Sequence, residues 1–221
     1  VLVYSDDLKQ IVEFNSNAYN IFLCRQFLST LPNSLLEAAS SFVRIGLVKG
    51  IRISTRPDAI DDEILELLKE YNVTAIELGA QSFNNHVLKM NNRGHSSRDI
   101  ATASALIKKH GFELGLQIMT GLYCDSDEGA LKTAKKVIDI KPDTVRIYPT
   151  IVLKDTYLAA LYSDNKYEPQ SLEGAVNLAA ELLLMFEKAD IKVITVKECG
   201  DSLVKVAKTG VLNLGNGVFQ G

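Results

Sequence analysis

Cysteine is scarce in this chain, and long hydrophobic runs are missing from it. The sequence holds 3 cysteines among 221 residues, and Cys24, Cys124 and Cys199 lie far apart along the chain. This usage predicts reduced thiols in a cytoplasmic protein and excludes a small scaffold held together by disulfides. No apolar run approaches the length of about 18 residues that a membrane span requires. We therefore expect that no part of the chain crosses a membrane.

An excess of charge of either sign is also missing. The formal net charge is −3, charged residues make up 23% of the chain and hydrophobic residues 47%. These values are ordinary for a soluble globular domain. They give no overall basic surface of the kind that predicts nucleic-acid binding, although a local basic patch stays open.

The pattern that is present is an alternation of strands and helices. Short apolar runs near residues 51, 75, 114, 144 and 192 are typical of strands, and each gap between them is long enough for a crossover helix. Such an alternation predicts an α/β fold with a parallel sheet. The pattern does not separate an open, doubly wound sheet from a barrel. From residue 150 to residue 167 we expect an irregular stretch.

The segment from Ala75 to Tyr123 shows the alternation most clearly. The run Ala75–Leu78 is typical of a buried strand, and a glycine follows it directly. Residues 97–110 have helical spacing of apolar side chains, and Gly111 then predicts the helix end. Residues 112–120 read as a second apolar strand. We predict that the two strands are parallel and joined by a right-handed crossover.

Polar side chains interrupt these strands near their carboxyl ends. They are Ser54, Glu77, Gln81 and Gln117, and Arg93 lies in a loop between two of the strands. In a parallel barrel, ligands bind where the carboxyl ends of the strands meet. A guanidinium pairs with a carboxylate through two hydrogen bonds, and amides both donate and accept. The sequence therefore predicts a binding site for a small polar ligand.

Each of these residues also has a purely structural interpretation. Gln81 and Gln117 would then be amides that bond neighbouring backbone inside a barrel. A buried Glu77 needs a partner, and Arg56 or Arg146 could supply one. For the histidines we favour structural roles: His95 as an exposed or helix-capping residue, and His86 and His110 at the surface.

The same residues carry a resemblance to a known family. The motifs stand in the order I-R-I-S-T-R-P-D (residues 51–58), E-L-G-A-Q-S-F (77–83), N-R-G-H (92–95), Q-I-M-T-G-L (117–122) and V-R-I-Y-P-T (145–150). In this order they resemble the radical SAM superfamily. The subgroup they resemble most is that of the Elongator catalytic subunit and oxygen-independent coproporphyrinogen oxidase. The resemblance covers roughly residues 35–194.

The resemblance implies a fold, cofactors and partners. The fold would be a partial (β/α) barrel of parallel strands with crossover helices, here lacking the first strand. S-adenosylmethionine would contact Gln81, Arg93 and Gln117, while Ser54 stands where some members carry a carboxylate. A complete member would also hold a [4Fe–4S] cluster, accept electrons from a donor, and act on a substrate such as tRNA or a porphyrin-like molecule.

The chain departs from the family at the cluster. The family holds the cluster with three cysteines in a C-x3-C-x2-C motif, and this sequence contains no such motif. We therefore expect no cluster on this chain, and assign it no catalytic residue and no metal ligand. It would be a fragment or a degenerate copy of a radical SAM enzyme. The alternative is a cluster-free α/β protein that binds a small ligand without radical chemistry.

The resemblance divides the chain into three parts. Residues 31–197 would form the partial barrel, residues 1–30 match the family poorly, and residues 198–221 would be a C-terminal tail that is frayed over the glycine-rich residues 210–221. Within the first part, residues 21–23 could form a strand. Arg25 and Gln26 then stand where the family has small glycines that approach the cofactor. We expect poor order from Phe14 to Thr30 and little or no affinity of the isolated chain for S-adenosylmethionine.

Overall fold

The structure is a computed structural model that describes residues 2–3, 20–24, 33–194, 211–214 and 217–220. Its strands are β1 (Leu2–Val3), β2 (Asn20–Cys24), β3 (Gly50–Thr55), β4 (Val73–Gln81), β5 (Glu113–Thr120), β6 (Thr144–Pro149), β7 (Lys192–Val193), β8 (Val211–Leu214) and β9 (Gly217–Gln220). Its helices are α1 (Asn33–Arg44), α2 (Asp62–Glu70), α3 (Asn85–Met90), α4 (Ser97–Lys109), α5 (Asp127–Ile140), α6 (Tyr157–Ser163) and α7 (Leu172–Lys188). A short 3-10 helix spans Pro57–Ala59.

The described strands β1 to β7 form one sheet whose order follows the chain. The pairs β1–β2, β2–β3, β3–β4 and β6–β7 are parallel, and helices stand between the strands from β2 onward. This confirms the predicted α/β fold of parallel strands with crossover helices. We expected the first strand of the barrel to be missing; in the structure, the two-residue strand β1 pairs with β2.

The chain forms two compact units. Unit 1 comprises Val1–Ala80 and His95–Leu116, and unit 2 comprises Gln81–Gly94 and Gln117–Gly221. In unit 1, strand alternation places Ile51 and Ile53 on the opposite face of β3 from Arg52. Both isoleucines are fully buried. The helices of this unit also carry buried apolar side chains, among them Leu36, Leu65, Leu68, Ile100 and Ile107.

The ends of α4 show why the sequence predicted this helix well. Ser96 caps its start and forms a capping box with Asp99, which satisfies backbone donors that the helix cannot satisfy itself. Gly111 follows its end with a φ of +81°, a conformation that glycine adopts without steric cost. The predicted helix over residues 97–110 is confirmed to within one residue.

In unit 2, α5 and α7 contact each other. Their buried side chains include Ala130, Ala134 and Val137 on α5 and Leu178, Leu182 and Phe186 on α7. Strand β6 contributes the buried Val145 and Ile147 to this unit. Within the described residues, no helix combines the length and the apolar character that crossing a membrane demands.

The expected frayed tail needs a correction. Strands β8 and β9 pair as an antiparallel hairpin, with Val211 opposite Gln220 and Leu214 opposite Gly217. The sequence carries the reason: apolar, strand-forming residues flank Gly215-Asn216, a dipeptide typical of two-residue hairpin connections. Residues 195–210 lie outside the described part of the chain.

The N-terminal predictions are only partly within the described residues. Strand β2 confirms the strand expected at residues 21–23. The predictions of poor order for residues 14–19 and 25–30, and of the obstructing role of Arg25 and Gln26, concern residues outside the described part.

Candidate functional site

Two of the predicted ligand-binding residues meet in unit 2. Gln81 is the last residue of β4, is 2% exposed, and has a φ of +65°. The Gln117 amide on β5 donates to Gln81 Oε1 over 3.4 Å. The distance is at the long end for a hydrogen bond, so a ligand group that offers a shorter one could compete for either amide.

Arg93 reaches this unit on the loop that follows α3. Asn84 caps the start of α3 through its side chain, and the Arg93 backbone N–H donates to Leu88 O at 3.0 Å. The Asn91 amide donates to Val87 O at 2.8 Å and to Tyr123 O at 2.9 Å. The loop carrying the half-buried Arg93 is therefore tied both to its own helix and to the loop after β5.

A cavity of about 360 Å³ lies beyond the ends of β5 and β6 in unit 2, which is the size of a small-molecule site. Arg93, Tyr123, Thr150 and Tyr157 line it together with mostly apolar side chains. Thr150 Oγ1 is buried and has no hydrogen-bond partner among the described residues. Gln81 and Gln117 are not among the lining residues, so the structure places Arg93 alone of the three on the cavity wall.

Helix α6 forms one wall of this cavity, and we expected an irregular stretch there. Thr156 caps the helix by accepting from Ala159 N at 3.2 Å, and Leu161 is buried. The signal that could have found it is Thr156 followed by apolar residues at helical spacing. Because this stretch was expected to be irregular, the residues of this wall, Tyr157 among them, were not predicted to line a site.

The loop after β5 is held by a neighbouring tyrosine. The Tyr167 hydroxyl donates to Gly121 O at 2.6 Å, and its ring meets the Tyr123 ring edge-on at 6.2 Å between centroids. Burial raises the pKa of Tyr167. The pKa of Tyr123 is also raised, first by electrostatic repulsion from the neighbouring Cys124 and then by burial. Both phenols therefore stay protonated at neutral pH.

In unit 1, Ser54 and Glu77 are register partners on β3 and β4. Glu77 is 1% exposed. Two residues earlier along β3, Arg52 forms an ion pair with Glu113 on β5. Arg56, one of the two partners we considered for Glu77, donates to both carboxylate oxygens of Asp58, at 2.8 and 2.6 Å. These bonds hold the pKa of Asp58 below its usual range.

Two of the histidine predictions need correction. His95 is 7% exposed, and its Nε2 lies 3.2 Å from Ala80 O, so it is neither exposed nor the helix cap, which is Ser96. The ring of His110 is mostly covered and lies 2.8 Å from Asp62 and 3.0 Å from Glu66. His86 is exposed, as predicted.

The two implied cofactors fit the chain differently. Among the described residues, no group of three or more His, Cys, Asp or Glu side chains is arranged to hold a metal. This part of the chain therefore does not fit an iron–sulfur cluster, and no chemical step can be derived through one here. S-adenosylmethionine fits better, because unit 2 offers polar groups to such a ligand: a guanidinium and the buried Thr150 hydroxyl at the cavity, and the Gln81–Gln117 amide pair outside its lining.

Comparison with known families agrees with this architecture. The model of the radical SAM superfamily matches residues 16–137, and that of the radical SAM C-terminal domain matches residues 142–202. The first match alone covers more than half of the chain. The chain therefore belongs to the radical SAM superfamily, whose complete members cleave S-adenosylmethionine with the help of a [4Fe–4S] cluster.

Curated relatives are similar over part of their length. The tRNA uridine(34) acetyltransferase of Methanocaldococcus infernus is 33% identical over 129 residues, which is 57% of this chain and 24% of the relative. Elongator complex protein 3 of Saccharomyces cerevisiae is 31% identical over 139 residues, which is 62% of this chain and 25% of the relative. The chain thus spans about a quarter of the length of these two proteins.

Solved structures share the fold. Methanocaldococcus infernus Elp3 with an N-terminal deletion superposes with a TM-score of 0.71 at 23% identity, covering 89% of this chain and 55% of that one. Coproporphyrinogen III oxidase from Escherichia coli, a radical SAM enzyme, gives 0.60 at 17% identity, covering 77% and 40%. The chain therefore has the radical SAM partial-barrel fold, as the resemblance implied.

Proposed function

We propose that this chain is the S-adenosylmethionine-binding core of a radical SAM enzyme that acts on tRNA. The observation that carries the proposal is the meeting of two predicted ligand residues, the Gln81 and Gln117 amides, in the unit that also holds Arg93. In the complete enzyme, S-adenosylmethionine together with a cluster would supply a radical, and an electron donor would drive its reductive cleavage.

The residues of this chain would bind and orient the cofactor. The amides of Gln81 and Gln117 donate and accept, which suits ribose hydroxyls and the amino group of the ligand. The Arg93 guanidinium suits its carboxylate, because planar donors match two oxygens at once. Ser54 stays in the proposal by its place in the family motif, and Glu77 by its position near the carboxyl end of β4.

The choice of tRNA as substrate rests on the names of the relatives. Two archaeal relatives that are 33% and 31% identical are tRNA uridine(34) acetyltransferases, whereas the porphyrinogen oxidase shares the fold at 17% identity. The net charge of −3 favours neither substrate. A tRNA-modifying role in the cytoplasm agrees with the reduced thiols that the cysteine usage predicts.

The sequence lacks the C-x3-C-x2-C motif with which the family holds its cluster, so the proposal must say where the cluster residues would be. We infer that the chain is a fragment whose cluster residues belong to another part of the whole protein, or a degenerate copy that has lost them. The same observation favours the second candidate, a cluster-free α/β protein that binds a small ligand and performs no radical chemistry.

Binding of S-adenosylmethionine to the purified chain tests the proposal. Without a cluster to anchor the methionine end, we expect a Kd of about 1 mM, or about 4 kcal/mol of binding free energy, measurable by saturation-transfer NMR. Arg93→Ala should abolish this signal, because the carboxylate loses its charged partner. Arg98→Ala is the matched control, because Arg98 is an exposed arginine on α4.

Each outcome has a distinct meaning. Signal loss in Arg93→Ala with an unchanged Arg98→Ala supports the proposed site. Equal signals in all three proteins, or none in the wild type, would refute it. Micromolar binding would support the second candidate, because such affinity would not require a cluster.

A further inference from the structure

The chain between Ala80 and His95 makes an excursion that begins with one proposed ligand residue and carries another just before its last residue. Gln81 is its first residue, α3 forms its middle, and Arg93 stands next to its last residue, Gly94. His95 Nε2 lies 3.2 Å from Ala80 O. This one contact joins the two residues that flank the excursion, and His95 is 7% exposed.

The backbone at both ends of the excursion is in the left-handed region. Gln81 has a φ of +65° directly after Ala80, Asn92 has +51° and Gly94 has +74°. A residue other than glycine pays roughly 1–2 kcal/mol for this conformation, which persists only where the surroundings determine it. The hydrogen bond from His95 fixes the Ala80 carbonyl at the point where the backbone turns into Gln81.

His95 is itself held in place from its carboxyl side. Ser96 caps α4, its hydroxyl and backbone N–H both donate to Asp99, at 2.8 and 2.7 Å, and the Asp99 N–H donates back to the Ser96 hydroxyl. The start of α4 thus sets the backbone of His95. The ring of His95, placed by this backbone, contacts the Ala80 carbonyl.

Other bonds hold the middle of the excursion but do not join its ends. The Phe83 N–H donates to Thr133 Oγ1 at 3.1 Å, and Asn91 donates to Tyr123 O at 2.9 Å. Pinning the ends of a loop removes conformations that would otherwise compete with the native one. Unlike these two bonds, the His95–Ala80 contact joins the residues on either side of the excursion, and it is therefore placed to set where the excursion begins and ends.

We propose that His95 is a positioning residue that closes the base of this excursion and thereby fixes Gln81 and Arg93. It would act through the Ala80 carbonyl and need not touch a ligand. Its importance for S-adenosylmethionine rests on the function proposed above, while its effect on the excursion does not. The two can therefore be tested separately.

Hydrogen exchange on the full chain tests the positioning role directly. In His95→Ala we expect the amides of Phe83, Asn91 and Arg93 to exchange about tenfold faster, as the loss of one buried hydrogen bond predicts. His95→Gln should restore wild-type rates, because the glutamine Nε2 can donate to the same carbonyl. His95→Asn is too short to do so and should behave like the alanine variant.

A matched control separates positioning from general destabilisation. Ile107→Val removes a buried methyl group from α4, and Ile107 is fully buried. Exchange should rise in the excursion only for His95→Ala and His95→Asn after correction for the global stability of each variant. Equal exchange in His95→Ala and Ile107→Val, or no rescue by His95→Gln, would overturn the proposal. If His95→Ala does not fold, the contrast between His95→Gln and His95→Asn decides.

Ligand binding adds a second readout. In the saturation-transfer experiment, His95→Gln should keep the wild-type signal and His95→Asn should lose at least half of it. If the wild type does not bind S-adenosylmethionine, the proposed function is refuted. The positioning role of His95 is then tested by the hydrogen-exchange experiment alone. Binding that needs Arg93 but is equal in His95→Gln and His95→Asn would overturn the link between His95 and the site.

Discussion

Asp125 is a residue at which burial works against ionisation. Its Oδ1 accepts from Ser126 N at 2.9 Å, while Oδ2 is buried without a hydrogen-bond partner among the described residues. Burial raises the pKa of this carboxyl, and the nearby Asp127 adds to the shift. The folded chain therefore holds this proton more tightly than the unfolded chain. Protonated Asp125 therefore favours the folded chain at pH values below the pKa that this carboxyl has in the unfolded chain. This stabilisation is lost as the pH rises through its higher pKa in the folded chain.

We predict that Asp125→Asn stabilises the chain at pH 7. The substitution removes an ionised, partly buried carboxylate and keeps an oxygen for the Ser126 N–H. Because the group is only half-buried, solvent screening limits the gain, and we expect Tm to rise by about 2 °C. Thermal unfolding at pH 7 and pH 3 measures this. The gain should vanish at pH 3, where the wild-type residue is protonated.

The control for this prediction is Asp139→Asn, at an exposed aspartate on α5. It should change Tm little at either pH. An equal rise in both variants would mean that total charge, and not the burial of Asp125, sets the effect. A gain from Asp125→Asn that persists at pH 3 would contradict the assigned cause.

At the scale of single residues, the sequence predicted some of the candidate site. Gln81 and Gln117 were identified because an amide near the end of an apolar strand departs from the local pattern, and the structure brings the two together. His95 and His110 were misjudged, because their burial depends on partners distant in sequence. Those partners are the Ala80 carbonyl for His95, and Asp62 and Glu66 for His110.

At the scale of elements, close packing of β3 against β4 explains one glycine. A Cβ added to Gly50, the first residue of β3, would overlap the Thr74 side chain at the start of β4. The Thr74 hydroxyl donates to Ile51 O at 3.4 Å on the neighbouring strand. Two side chains therefore compete for one position, and glycine at residue 50 resolves the competition.

We predict that Gly50→Ala lowers the free energy of unfolding by roughly 1–3 kcal/mol, as overpacking does. Thr74→Ala alone should cost little, because Thr74 is exposed. Thr74→Ala should recover most of the loss in the double variant, because it removes the clashing atoms. Urea unfolding of the four proteins gives the coupling between the two sites. Strictly additive effects would show that the two side chains do not compete.

The elements themselves were largely predictable, because caps and periodicity are local. The serine cap and the terminal glycine of α4 are adjacent to the helix they delimit. The missed elements, α6 and the β8–β9 hairpin, are short and lie among polar or glycine-rich residues. There, composition suggested irregular structure, while Thr156 and Gly215-Asn216 carried the opposing signal.

At the scale of the whole molecule, the family and the fold were predictable, and the division of the chain was less so. Five motifs in order indicated the radical SAM superfamily, which the matches over residues 16–137 and 142–202 confirm. The division into residues 1–30, 31–197 and 198–221 stays a prediction. Compact units are set by contacts between distant segments, and the unit boundaries at Ala80 and Leu116 leave no mark in the local sequence.

The central claim is that the amides of Gln81 and Gln117 face a bound S-adenosylmethionine. Side-chain amide signals in a two-dimensional nitrogen–proton NMR spectrum test it most directly, with the ligand titrated to about 5 mM, several times the expected Kd. We predict that the signals of both glutamines shift in a saturable way while that of Asn177, an exposed amide on α7, does not move. Unmoved signals of Gln81 and Gln117 during saturable binding, or equal shifts at Asn177, would contradict the claim.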